Sequence, residues 1–200
     1  MILCYQKLTK EIPPSPSWVS IKKFERDLIG LMQSGYKFVY LDDYDPNDPK
    51  QAVLTFDGVY KNAIEDGVKI IAGLKLPWEL FIIGNYIGKN NDFAYPEPKA
   101  DFADKNWLWL ATKSAGARIQ WHSKSNIITP NNIHDELDAS GLFHAQQPTF
   151  FKWFAYPDGT FQDWMIPEVK QKFAGAVACE NGNSDKYTLK RIIVTEDTQI

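Results

Sequence analysis

Three polar positions in this sequence stand where chemistry could be done. Asp57 ends the apolar run Ala52-Val53-Leu54-Thr55-Phe56, His122 follows Arg118-Ile119-Gln120-Trp121, and Asp158 lies in the turn Tyr156-Pro157-Asp158-Gly159 after Trp153-Phe154-Ala155. A carboxylate can take a proton from an attacking water, an imidazole can take or give one or hold a metal, and turn N–H groups can stabilise an oxyanion. Plainer readings stand beside these. Asp favours helix N-caps and turns, a histidine flanked by Trp121 and Ser123 can be structural, and Tyr156 to Gly159 has the composition of a β-turn.

The elements that must position these residues alternate along the chain. Leu3 to Tyr5 reads as a strand, the Pro-rich segment with Pro13, Pro14 and Pro16 as a loop, and Phe24 to Met32 as a helix. Phe38 to Leu41 and Ala52 to Phe56 are strands, and the continuous apolar character of the second implies burial on both faces. Helices are expected over Asn62 to Leu74, Trp107 to Ser114, Ile133 to Ser140 and Ile166 to Phe173. Strands are expected over Leu80 to Gly84, Arg118 to Trp121, Trp153 to Tyr156, Gly175 to Cys179 and Arg191 to Val194. Such alternation gives an α/β fold with parallel strands, as an open sheet or a barrel, and either form puts active residues at the C-terminal ends of strands.

The composition narrows the function. Two hundred residues, 44% of them hydrophobic, suit one domain over 1–200 with a large core. The net charge of −3, with both signs mixed along the chain, offers no basic face for nucleic acid and no polybasic stretch for a lipid surface. The opening Met1 to Lys7 turns polar after four residues, so no signal peptide or membrane span is expected there, and the expected compartment is the cytoplasm. Cys4 and Cys179, each in an apolar run, read as two buried thiols. His134 lies on a polar helix face and reads as solvated. His144 stands in a loop-like stretch. Trp107, Trp109, Trp121, Trp153 and Trp164 are open to two uses, core filling or packing on sugar rings.

In order and spacing the chain resembles the polysaccharide deacetylases. The resemblance is carried by Cys4-Tyr5-Gln6, Ser34-Gly35-Tyr36-Lys37-Phe38, Thr55-Phe56-Asp57, Ile82 to Gly88, His122-Ser123, Phe154 to Gly159 and Lys190-Arg191-Ile192. It implies a distorted, incomplete (β/α) barrel and metal-dependent removal of acyl groups from sugars. The family's Thr-Phe-Asp-Asp-Gly-Tyr motif is matched by Thr55 to Tyr60, with Asp57 as the implied base and Gly58 where a metal-binding Asp is expected. Its His-Ser/Thr-x-x-His motif is matched by His122 to Asn126, so His122 is the implied metal ligand and Asn126 replaces a second. Gln6 stands for a histidine, and the family's late histidine has no counterpart after Val194.

What the resemblance implies is a hydrolase of C–N amide or ester bonds in an acylated amino sugar, with Asp57 and His122 catalytic. Tyr60, Trp121, Tyr156, Pro157, Asp158 and Arg191 are the expected substrate-binding residues. A zinc-like divalent metal would have one family ligand left. The expected partner is a carbohydrate or a nucleotide- or lipid-linked sugar used in cell-surface polysaccharide assembly. The alternative is a carbohydrate-binding or scaffold protein that kept the barrel and lost the metal. A narrower variant is metal-free hydrolysis by Asp57 and His122 together.

Overall fold

The computed structural model describes residues 1–94, 96–140, 142 and 151–200. The expected loop position of His144 lies outside the described residues. Eleven strands are described: β1 Ile2–Tyr5, β2 Lys7–Thr9, β3 Trp18–Ser20, β4 Lys37–Phe38, β5 Gln51–Gly58, β6 Trp78–Ile82, β7 Ala117–Trp121, β8 Trp153–Ala155, β9 Gly175–Ala178, β10 Leu189–Lys190 and β11 Ile192–Ile193. The helices are α1 Ile21–Gln33, α2 Lys61–Leu74, α3 Lys105–Ala115, the single turn α4 Ile133–Glu136, and α5 Met165–Lys172. None of them is long and apolar enough to cross a membrane.

Nine strands form one parallel sheet in the order β10-β9-β8-β7-β6-β5-β1-β11, with β4 added beside β5. The two ends of that order, β10 and β11, are consecutive in the chain and separated by Arg191 alone. The sheet is therefore a nearly closed barrel whose seam is spanned by one residue, the incomplete (β/α) barrel that the family resemblance implies. The Arg191 N–H donates to the Ala178 carbonyl at 2.8 Å on one side, and the Val194 N–H donates to the Cys4 carbonyl at 2.9 Å on the other.

Strand parity sorts the side chains into two layers, because successive residues of a strand face opposite sides of the sheet. Leu3, Tyr5, Leu54, Phe56, Leu80, Ile82, Trp121, Phe154 and Tyr156 join the helices in the outer core. Ile2, Val53, Phe81, Trp153, Ala155, Val177 and Leu189 fill the lower barrel interior. At the floor, Glu79 accepts from the Leu41 N–H at 3.1 Å and from Gln120 Nε2 at 2.8 Å, while Gln120 Oε1 accepts from the N–H groups of Lys152 and Trp153.

Three elements depart from expectation. The Pro-rich segment is bracketed by β2 and β3, which pair with each other, since proline bars ladder donors only at its own positions. The strand expected over Phe38 to Leu41 stops at Phe38, because the Leu41 N–H is taken by the Glu79 carboxylate. The helix from Ile133 ends after one turn. Asp138 draws both the N–H and the hydroxyl of Ser140 to its own carboxylate, at 2.9 and 3.0 Å, a local bond that competes with helix continuation.

Candidate active site

Asp57 shares the inward phase of β5 with Val53 and Thr55 and is 7% exposed. Its two carboxylate oxygens meet the two terminal nitrogens of Arg191 at 2.6 Å each, and the Cys4 thiol lies 3.5 Å from Oδ2. Burial by itself raises the Asp57 pKa. The Arg191 guanidinium, then His122, and then the hydrogen bonds from Arg191 and Cys4 outweigh that and hold it below the ordinary Asp value. Asp57 is thus an ionised carboxylate inside the barrel.

His122 follows the end of β7 and turns inward, its ring Nδ1 2.7 Å from the Ala155 carbonyl oxygen. A carbonyl can only accept, so Nδ1 carries the proton. In the neutral ring Nε2 is then bare, a lone pair ready to take a proton. Both Asp57 and His122 line one cavity of 360 Å³ at the C-terminal rim of the barrel, which also takes in Tyr60, Asn126, Asp158 and Cys179. A second hollow of 630 Å³ lies at the opposite end, around Lys37, Pro77 and Gly116, where strands begin.

The backbone around the rim is unusual. Gly58 and Val59 have φ of 75° and 57°, Ser123 and Asn126 of 105° and 70°, and Asp158 and Gly159 of 56° and 69°. Gly159 is required on a second count, since a Cβ there would lie 2.7 Å from Cys179 Cβ. The Asn126 side-chain oxygen is buried with no hydrogen-bond partner among the described residues. The turn N–H groups proposed for an oxyanion are partly spent, with Gly159 donating to Tyr156 O at 3.0 Å and Thr160 to Pro157 O at 3.2 Å.

The sequence-predicted substrate residues separate. Tyr60 and Asp158 line the cavity. Trp121 and Tyr156 do not, because each sits one residue out of phase with an inward neighbour, His122 or Ala155, and so joins the outer core. Trp121 is fully buried there, its indole N–H donating to Glu136 O at 2.9 Å. Pro157 starts the turn outside the cavity. Arg191 is buried and pairs with Asp57, so it positions the carboxylate instead of touching a ligand. No tryptophan lines the cavity. Trp121 and Trp153 fill core, and the aromatic wall is made by Tyr60 and Phe93. His134 is on the surface, 3.6 Å from a Glu168 oxygen.

Sequence reasoning missed Lys7, Ser17, Glu97 and the joint placement of the two cysteines. Cys4 and Cys179 are buried thiols as expected, yet both border this cavity. Cys179 is the more acidic of the two, because the neighbouring Cys4 thiol and, against the opposing effect of burial, the Arg191 guanidinium favour its thiolate.

A family-type metal does not fit these residues. A Cβ at Gly58 would lie 3.1 Å from both Phe102 and Tyr60, whose rings stack at 4.3 Å over that position. Both Asp57 oxygens are committed to Arg191, Asn126 offers a neutral carboxamide, and no group of three His, Cys, Asp or Glu among the described residues is placed to hold a metal.

No protein-family model matches this sequence, and no curated protein is similar to it. Solved structures are similar in fold. A de-N-acetylase from Aggregatibacter actinomycetemcomitans superposes with a TM-score of 0.81 at 15% identity, over 100% of this chain and 96% of that one. The deacetylase PplD of Streptococcus pyogenes, in complex with acetate, gives 0.77 at 16% over 98% and 92%. IcaB from Ammonifex degensii gives 0.75 at 18% over 98% and 91%. The chain therefore has the fold of the polysaccharide deacetylases.

Proposed function

We propose that this chain hydrolyses the acyl group of an acylated amino sugar, cleaving a C–N amide or an ester bond, in cell-surface polysaccharide biosynthesis. The carrying observation is the convergence of Asp57 and the bare Nε2 of His122 on one cavity, at the C-terminal rim of a barrel shared with solved deacetylases. In this reading His122 Nε2 takes a proton from water as the water oxygen bonds to the acyl carbon. The imidazolium so formed is stabilised by the Asp57 charge that Arg191 holds in place. The C–N bond then breaks and the leaving nitrogen takes the proton back from His122, which frees the acid and the amine.

This assignment moves the base from Asp57 to His122. Asp57 has both oxygens engaged and a lowered pKa, which makes it a poor proton acceptor and a good fixed charge. The substrate is a carbohydrate or a nucleotide- or lipid-linked sugar. Purified protein incubated with N-acetylglucosamine oligomers and with nucleotide-linked N-acetylglucosamine should release acetate, and chelator should not stop it. His122→Ala and Asp57→Asn should each lose about 100-fold or more in kcat/KM, the range removed with one acid–base group. Absence of acetate release from the parent, or parental rates in both variants, would sink the reading.

A further inference from the structure

Glu97 is a carboxylate of the cavity wall tethered by three donors, and only one of its oxygens is used. Oε1 accepts from Ser15 Oγ at 2.6 Å, from Lys7 Nζ at 3.0 Å and from Ser17 Oγ. Oε2 takes no bond from any described residue. Lys7 itself is satisfied. It donates to Ser17 Oγ at 2.9 Å and sits 4.4 Å over the Tyr60 ring, with a side chain only 1% exposed. Buried Lys7 and the two serines therefore fix Glu97 and leave its second oxygen as a preset acceptor.

Beside it stands an exposed aromatic face. Phe93 is 43% exposed although it borders the same cavity, and it is backed by Tyr86 at 4.4 Å and by Phe102, parallel, at 6.2 Å. A ring braced from behind and open in front presents an apolar plate, and an oriented carboxylate next to it accepts hydroxyl or amine protons. Pyranose sugars offer that pair of features, an apolar C–H face and a rim of donors. Asp57 and His122 border the same 360 Å³ space.

We infer that Phe93 and Glu97 form a pyranose-binding subsite, with the sugar ring on Phe93 and a hydroxyl or amine donating to Glu97 Oε2. This rests on the hydrolase reading for its link to turnover, but binding can be measured without it. N-acetylglucosamine and its oligomers are titrated calorimetrically into the full chain and into Phe93→Ala, Glu97→Gln and His134→Ala. Phe93→Ala removes an exposed ring and leaves the Lys7 cluster whole, so it guards against a folding defect in Glu97→Gln. Loss of a charge-assisted bond should weaken binding about tenfold or more in Glu97→Gln. A similar loss is expected in Phe93→Ala, and little change in His134→Ala, which alters an exposed side chain outside the cavity. In turnover, both subsite variants should raise KM with kcat nearly unchanged. Parental affinity in the folded Phe93→Ala and Glu97→Gln variants overturns the subsite, and so does the absence of any binding to the parent. Binding that needs Phe93 and Glu97 while the parent shows no turnover keeps the subsite and removes the hydrolase.

Discussion

Asp57 and Arg191 lie 134 positions apart in the sequence and meet through two bonds of 2.6 Å inside the barrel. The pair is inaccessible to water on the arginine side, where the side chain has no exposure at all. Removing one partner strands the other charge. Arg191→Met should cost about 3–5 kcal/mol in urea unfolding. Asp57→Asn with Arg191→Met should recover much of that, since a buried pair replaced as a whole leaves no stranded charge.

Glu79 gives the protein a pH dependence of the opposite sign to that of a paired carboxylate. Burial raises its pKa to about 7, against the hydrogen bonds from Gln120 and Leu41. Its folded pKa lies above its unfolded one, so the folded state binds the extra proton. Its contribution is complete below about pH 4.5 and is lost as pH rises toward 7 and beyond. Between pH 5 and 8 the unfolding free energy should fall by about 3 kcal/mol from this group. Glu79→Gln should flatten that slope. The variant should also be less stable at pH 5, because its amide would face the Gln120 amide, whose oxygen is already used by two N–H groups.

Gly58 is held by its backbone and by its neighbours. With φ at 75° and two aromatic carbons 3.1 Å from any Cβ, Gly58→Ala should destabilise by about 1–2 kcal/mol. Gly58→Asp with Asn126→His restores ligand types without restoring room. Metal analysis after dialysis should show no stoichiometric zinc in that double variant. Adding Phe102→Ala, which removes the ring over position 58, should allow it to appear.

The protonation of His122 can be read directly. In the neutral ring, long-range ¹H–¹⁵N spectra should show a protonated Nδ1 and a bare Nε2, the tautomer required by the Ala155 carbonyl. A protonated Nε2 with bare Nδ1 would contradict the role given to this ring.

The alternation of strand and helix was legible in the sequence, since long apolar runs such as Leu54 to Phe56 and helical spacing such as Phe24 to Met32 are local signals. Asp57 and His122 were legible for the same reason, each standing where a strand ends. Trp121 and Tyr156 were misplaced because a three- to five-residue strand buried on both sides carries no alternation from which to read its phase. Lys7 and Glu97 left no local signal. They are 90 positions apart, and only the folded chain shows that two serines and a tyrosine ring enclose them.

The single residue that spans the seam also ties the order of assembly to the charge of the site. Until β10 and β11 dock on β9 and β1, Asp57 has no guanidinium, and its carboxylate must remain hydrated or take up a proton. Closing the barrel and drying its interior are then one event, completed by a contact of very long sequence separation. Such contacts form late, because a large loop must be closed first. Refolding should accordingly gain its helices before it gains a dry interior, and the last step should slow in acid, where Asp57 is protonated and Arg191 has no anion to meet.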